Sequence, residues 1–142
     1  MEEILLKKDI YISRNKEDID IKQLVKLLHT SYWAANREEE LIVKTVENSF
    51  CYGVLDEEKN LIGFARIITD FVTAFYLMDV IIEESCRRKG YGKMLLNEIM
   101  KDVGHLYGVL HTDSARGLYE AYGFTVTATS PTGEYIMEKQ RG

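Results

Sequence analysis

Proline and cysteine are scarce in this sequence, and none of its apolar runs approaches the roughly 18 residues that span a bilayer. The only two cysteines, Cys51 and Cys86, lack Cys-x-x-Cys spacing, so free thiols are favoured over a disulfide or a zinc site. The three histidines, His29, His105 and His111, show no metal-ligand spacing either. A bound metal is therefore not expected.

The composition also differs from that of secreted, disordered or nucleic-acid-binding chains. The first eight residues have neither the basic head nor the long apolar middle of a signal peptide, so a cytoplasmic location without membrane binding is expected. A net charge of −5 argues against nonspecific binding to nucleic acid, whose phosphates would be repelled. With 46% hydrophobic and 29% charged residues, the 142 positions suffice for one folded domain, expected to span residues 1–142.

The most informative stretch is residues 83–93, which follow a predicted buried strand at 75–82 and precede a predicted helix whose apolar residues begin at Met94. Gly90 and Gly92 allow main-chain N–H groups to approach a ligand closely. The first turn of a helix adds unpaired N–H donors and the positive end of its dipole, an arrangement suited to phosphate. Glycines also mark ordinary turns, and neither the Walker nor the dinucleotide pattern fits, so the loop alone leaves both interpretations open.

A second motif follows at residues 115–124, which read Ala-Arg-Gly-Leu-Tyr-Glu-Ala-Tyr-Gly-Phe. Together with the Arg-x-x-Gly-x-Gly run that begins at Arg87, it resembles the GNAT superfamily of CoA-dependent N-acetyltransferases, and the resemblance extends from about Tyr32 to Lys139. In that family the loop holds the CoA pyrophosphate, and the preceding strand binds the pantetheine amides as an added strand would. The cofactor site that the resemblance implies comprises Val80, Ile81, Ile82, Arg87, Arg88, Lys89, Gly90, Tyr91, Gly92 and Lys93.

The predicted elements, in order, are a strand, two helices, three strands, a helix, a strand, a helix and two strands. This order predicts an α/β (α+β) protein with a mixed sheet of about seven strands, mostly antiparallel with a central parallel pair, flanked by about four helices. Strands are predicted at 10–13, 50–55, 61–68, 74–82, 107–110, 125–128 and 135–139. Four helices are predicted: one at about 21–30, one at about 37–48, one that begins after Gly92, and one that Ser114 caps and that ends at about residue 121. The resemblance implies the same fold, with CoA entering a gap between the two splayed parallel strands.

The resemblance further implies transfer of acetyl from acetyl-CoA to a primary amine of a small-molecule or peptide acceptor by direct attack. A main-chain N–H of the strand 75–82, near Asp79 and Val80, would hold the oxyanion, and Tyr119 would be the general acid. Reference pKa values near 10 for tyrosine and about 8.5 for a thiol make that proton transfer uphill by roughly 2 kcal/mol, so Tyr119 is expected to help rather than be indispensable. The alternative is that Tyr119 packs as core beside Leu118.

The attacking amine must lose a proton, and Asp79 is the main candidate base because a carboxylate inside an apolar strand is costly unless paired. The alternative, given equal weight, is a structural acid bonded to neighbouring main chain or to a basic residue. Asp70, Glu39 and His111 are weaker candidates, and the family has no single fixed position for the base.

Two aromatic residues between the first two helices are predicted to line the acceptor pocket. Tyr32 and Trp33 lie where the family commonly places the pocket wall, and an aromatic face can hold a cation. Burial of these side chains against the sheet is the alternative. Cys86, beside the basic loop, is expected to be a passive thiol rather than a reactive one.

Other functions are compatible with the same residues. A catalytically silent CoA-binding sensor or regulatory interaction domain would keep the pocket without turnover, and a plain interaction domain would not bind CoA at all. The sequence does not determine the amine acceptor, nor does it choose between a monomer and a homodimer.

Overall fold

The structure is a computed structural model that describes the backbone of residues 3–7 and the complete residues 9–142. The expectation that residues 1–8 are no signal peptide concerns side chains outside the described part of the chain, and it stays a prediction. Within the described part of the chain, no helix is both long enough and apolar enough to cross a membrane.

In the described part of the chain, eight strands form one sheet. In chain order they are β1 (Glu3–Lys7), β2 (Ile10–Ser13), β3 (Phe50–Leu55), β4 (Leu61–Thr69), β5 (Ala74–Ile82), β6 (Tyr107–Thr112), β7 (Thr125–Thr129) and β8 (Tyr135–Lys139). Their order across the sheet is β1-β2-β3-β4-β5-β6-β8-β7, and every neighbouring pair is antiparallel except β5 and β6. The predicted mixed sheet with a central parallel pair is confirmed, and β1 is the strand that the sequence analysis did not predict.

Among the residues that the structure describes, four α-helices accompany the sheet: α1 (Ile21–Leu28), α2 (Glu39–Glu47), α3 (Tyr91–Val103) and α4 (Arg116–Glu120). Apolar side chains join them to both of its faces. On one face, Leu95 of α3 is fully buried in the same cluster as Phe75 of β5. On the other face, Leu24 of α1 and Ile42 of α2 pack in a cluster with Phe64 of β4. Each fully buried side chain of this size contributes about 1.5–3 kcal/mol, so helix formation and sheet coverage depend on the same apolar residues.

The ends of two helices are defined by local side chains and turns. Asp20 caps α1, because its carboxylate accepts a hydrogen bond from the N–H of Gln23 at 3.0 Å. After α4, Gly123 has a φ of 94°, and the N–H groups of residues 123 and 124 donate to the carbonyls of residues 120 and 119, a Schellman pattern. The predicted Ser114 cap is wrong: Ala115 is the N-cap of α4, and its N–H donates to the Thr112 hydroxyl at 3.0 Å.

A β-bulge at Asp79 changes which side chains of β5 point to each face of the sheet. The pairing register of β4 and β5 shifts between Phe64 and Arg66, and Asp79 has a φ of 55°. Leu77, before the bulge, belongs to the cluster with α3, whereas Ile81, after it, belongs to the cluster with α1 and α2. One extra residue therefore reverses the alternation and turns Asp79 towards the α1 and α2 face.

The parallel contact between β5 and β6 is short. Residues 74–76 pair with residues 107–109, and beyond them the two strands diverge. Gly108 permits the close contact, since a Cβ there would lie 2.3 Å from Cζ of Phe75. Residues 77–82 and 110–112 consequently border a gap in the middle of the sheet.

Candidate active site

A cleft of about 280 Å³ opens where β5 and β6 diverge. Its walls are residues 76–80 of β5, residues 110–115 of β6 and the loop after it, and Tyr119 of α4. Tyr32 and Trp33 close another side from the segment between α1 and α2. The cleft therefore brings together Tyr119, Asp79 and both predicted pocket aromatics.

Tyr119 is buried as a residue, but its hydroxyl is open to the cleft. The side chain is 6% exposed, its ring lies edge-on to Phe124 at 6.1 Å, and burial raises its pKa to about 12. Among the described residues this hydroxyl has no hydrogen-bond partner. Every side-chain nitrogen or oxygen of those residues that is shut off from solvent does have a partner, so the Tyr119 hydroxyl is accessible to solvent. The ring thus packs as core while the hydroxyl faces the cleft as a protonated donor.

Asp79 lies between two guanidinium groups. Nη1 of Arg37 and Nε of Arg66 each donate to its Oδ2 atom at 2.6 Å, and Arg66 also donates to the Ser49 hydroxyl at 3.0 Å. The side chains of Asp79 and Arg66 are only 5% and 8% exposed, which makes these charge-assisted bonds strong. Of the two roles predicted for Asp79, the contacts match the structural acid bonded to basic residues.

The two predicted pocket aromatics contribute differently to the cleft. Tyr32 is 68% exposed, and its hydroxyl donates a hydrogen bond to Asp113. This bond raises the pKa of Tyr32 to about 12 and lowers that of the Asp113 carboxyl. Trp33 is 38% exposed, and its ring faces the Arg37 guanidinium at 5.9 Å. Neither side chain is buried against the sheet, so the predicted alternative for them does not apply.

His111 lies across the gap from Asp79. Leu110, its neighbour on β6, is buried in the cluster with α3, so His111 points to the opposite face, the one that Asp79 occupies. Its ring packs near that of Tyr76 with 5.8 Å between centroids, and its Nδ1 atom lies 3.9 Å from Oε1 of Glu134. That distance permits an electrostatic contact but is too long for a direct hydrogen bond.

The loop before α3 has the backbone shape expected of a site for an anionic group. Arg88 has a φ of 65°, and Gly90, the N-cap of α3, has a φ of 86° and no side chain that could block the helix terminus. A Cβ at Gly90 would meet nothing within 4 Å, and one at Gly92 would meet only Leu118, at 3.9 Å. Open space therefore lies beside both glycines at the positive end of a 13-residue helix.

Other predicted residues lie at the edge of this region or outside it. Nε of Arg87 donates to the carbonyl of Ile82 at 2.9 Å, so one loop cation holds the end of β5. Burial raises the pKa of the Cys86 thiol, in keeping with a passive role. Asp70 accepts hydrogen bonds from the N–H groups of its own turn, and Glu39 pairs with Lys22 on the surface. Neither of these two acids lines the cleft.

Sequence reasoning missed three charged residues of the cleft region, Arg37, Arg66 and Glu134. A signal for Arg66 exists, because it is a lone charge inside the apolar strand Leu61–Thr69, as Asp79 is inside β5. Two opposite charges on neighbouring buried strands indicate a pair. Arg37 and Glu134 carry no such local signal, since they lie in polar segments.

The chain matches the family model of the acetyltransferase (GNAT) domain over residues 47–126, more than half of its length. It therefore belongs to the GNAT acetyltransferase family. Among curated proteins it is similar to the uncharacterized N-acetyltransferase ycf52 of Gracilaria tenuistipitata var. liui, with 31% identity over 99 residues that cover 67% of this chain and 53% of the relative. The chain spans about half the length of the curated relatives that it matches.

Solved structures share the fold. A GNAT-family protein from Xanthomonas campestris pv. campestris has 31% identity and a TM-score of 0.78, covering 83% of this chain and 85% of that one. An aminoglycoside 6′-N-acetyltransferase in complex with coenzyme A has a TM-score of 0.77 over 90% of this chain and 95% of its own. Its identity is 18%, so this second likeness concerns the fold alone.

Proposed function

We propose that this chain transfers an acetyl group from acetyl-CoA to a primary amine of a small molecule or peptide. The observation that supports this most directly is the Tyr119 hydroxyl, which opens onto the cleft without a partner among the described residues. Buried tyrosines usually bond their hydroxyl to the protein, so a donor left open at a cleft suits contact with a ligand. Membership of the GNAT family supports our assignment of the thioester sulfur as the ligand atom for this donor.

We assign the CoA diphosphate to the start of α3. The open space beside Gly90 and Gly92 lets an anion approach the first N–H groups of the helix, which have no intrahelical acceptor. The residues assigned to the cofactor are those that the resemblance implied, Arg87–Lys93 for the diphosphate and the main chain of Val80, Ile81 and Ile82 for the pantetheine arm. β6 has already diverged from β5 at these last three residues, so that edge of the strand suits a further backbone-like partner.

When bound, acetyl-CoA supplies the thioester carbonyl that the amine attacks. The bulge at Asp79 breaks the regular pairing of β5, and a main-chain N–H of Asp79 or Val80 is the donor that we assign to the developing negative charge on the carbonyl oxygen. Two guanidiniums and one carboxylate leave a net charge of +1 at this end of the cleft, which also favours negative charge there. We accordingly assign Asp79 to holding Arg37 and Arg66 rather than to proton transfer, since a proton on Oδ2 would disrupt both bonds.

Tyr119 acts in this proposal as a hydrogen-bond donor to the departing sulfur. Its pKa of about 12 lies about 3.5 units above that of an ordinary thiol, so complete proton transfer is uphill by about 5 kcal/mol. The sequence-based value of roughly 2 kcal/mol did not include burial, which enlarges the gap. A hydrogen bond that strengthens as charge grows on sulfur still favours the reaction without complete transfer.

The test is to incubate the protein with acetyl-CoA and a panel of primary amines, including 2-phenylethylamine, 1,4-diaminobutane and a peptide with a free N-terminus, while following free thiol. Thiol release that depends on the amine, with a product heavier by one acetyl group, supports the proposal. Heat stabilisation by CoA without thiol release on any amine supports the silent sensor instead. A melting temperature that CoA does not change contradicts both, because a ligand at 100 times its Kd adds about 2.7 kcal/mol. A cytoplasmic location and a monomeric or homodimeric state stay predictions.

A further inference from the structure

The proposed function requires a group that accepts the proton of the attacking amine, because an alkylammonium ion has no lone pair for attack. At pH 7.4 only about one part in 10³ of an ordinary alkylamine is neutral. The charged and titratable groups that face the cleft around His111, besides Tyr119, are Tyr32, Arg37, Tyr76, Asp79, Asp113 and Glu134.

Most of these groups are poorly suited to accept a proton near neutral pH. Tyr32 and Tyr119 are already protonated there, since each has a pKa of about 12. The Asp113 carboxyl has a lowered pKa because Tyr32 donates a hydrogen bond to it. Asp79 is held by two guanidiniums. Histidine is the side chain whose ordinary titration range includes neutrality, and the cleft contains one.

The position of His111 suits this role. It lies on β6 two residues beyond the last pair with β5, on the sheet face that carries Asp79, so its ring borders the gap opposite the bulge. The side chain is 35% exposed, which leaves it accessible to a small molecule that enters the cleft. Its Nδ1 atom faces Glu134, so Nε2 is the nitrogen left to meet an acceptor.

We propose that His111 is the general base for acetyl transfer and that Glu134 is its positioning residue, an inference that rests on the proposed function. The Glu134 carboxylate at 3.9 Å favours the tautomer with a proton on Nδ1 and stabilises the imidazolium that forms. The ammonium proton of the acceptor passes to Nε2, and the amine nitrogen then bonds to the carbonyl carbon. As the carbon–sulfur bond breaks, the nitrogen gives up its second proton, which passes through solvent to the departing sulfur, so that the products are the amide and the CoA thiol. The electron pair of that bond leaves with sulfur, which accepts a hydrogen bond from Tyr119, and His111 returns its proton to solvent.

A matched pair of acceptors separates this role from a structural one. In 2-phenylethylamine the nitrogen is protonated at neutral pH, whereas in 2,2-difluoro-2-phenylethylamine the fluorines withdraw electrons and leave much of the amine neutral. The H111Q variant should lower kcat for 2-phenylethylamine by roughly 10²-fold, within the range for general base catalysis, and should change kcat for the fluorinated amine far less. H105Q is the control, because His105 is an exposed histidine that does not line the cleft.

Two further measurements accompany the kinetics. The rise of kcat with pH near neutrality should disappear in H111Q, and E134Q should lower kcat for 2-phenylethylamine by less than H111Q does, because Glu134 positions the ring but does not accept the proton. The affinity of H111Q for CoA, measured by calorimetry without an acceptor, should stay within about twofold, since His111 is assigned no cofactor contact.

Equal losses on both amines, an unchanged pH profile or a lower CoA affinity in H111Q would each overturn the role of His111. These results are distinguishable from failure of the proposed function, in which the wild-type protein releases no thiol with any amine. In that case the inference fails together with the function.

Discussion

Replacing Asp79 with asparagine tests whether this acid holds the cleft together or takes part in proton transfer. Asparagine has nearly the same shape and tolerates the positive φ of 55° at this position, so D79N removes the charge without adding backbone strain. The variant leaves two guanidiniums, 19% and 8% exposed, without the carboxylate that neutralises them. Breaking a buried ion pair in this way costs about 3 kcal/mol.

That loss is large enough to measure by heat. A chain of 142 residues unfolds with an entropy of about 0.3 kcal/mol/K, so a loss of about 3 kcal/mol lowers the melting temperature by about 10 °C. Urea denaturation followed by circular dichroism should give the same decrease in the free energy of unfolding. In a double-mutant cycle, R37Q should destabilise D79N less than it destabilises the wild type, because the carboxylate that Arg37 pairs with is already absent.

The opposite pattern would refute this account of Asp79. If D79N kept its melting temperature and lost acetyl transfer by 10² to 10⁴-fold, the residue would be the general base, and the assignment of His111 would be wrong. R116Q, which breaks an exposed i,i+4 pair with Glu120, serves as the control and should change stability by less than about 1 kcal/mol.

The G92L substitution should lower the affinity for CoA roughly tenfold or more without changing the melting temperature, because the leucine side chain occupies the open space beside the first turn of α3. Calorimetry measures the affinity, and the G92A control should bind CoA more tightly than G92L does. Y119F should lower kcat by roughly 10²-fold with little change in CoA affinity, and full activity would remove Tyr119 from the mechanism. Folding raises the pKa of Tyr119 from 10 to about 12, so the unfolded chain loses this proton first as the pH rises. The free energy of unfolding of the wild type should therefore fall by about 2–3 kcal/mol between pH 10 and 12, and that of Y119F should fall less. Urea titrations at each pH measure this difference. G108A should lower the free energy of unfolding by about 2 kcal/mol, because the new Cβ meets the buried ring of Phe75, whereas G117A has open space and should not.

The sequence determined those features that depend on neighbouring residues. The strand before residue 83, a helix after the glycine loop and the glycine turn at Gly123 follow from apolar periodicity and from positions that need a positive φ. The predicted start of that helix after Gly92 was late, because α3 begins at Tyr91. The two motifs at 87–92 and 115–124 were likewise visible as contiguous patterns, and the family that they indicated is the family to which the chain belongs.

The tertiary structure alone decided which charges meet. Arg37 and Arg66 reach Asp79 across 42 and 13 positions, and His111 meets Glu134 only because β8 lies beside β6. Side chains alternate along a strand with a period of two, so the one-residue bulge at Asp79 reversed the face of every later residue in β5. Pairing between distant strands set that register. It therefore determined that Asp79 contacts two guanidinium groups instead of standing free to accept a proton from the amine.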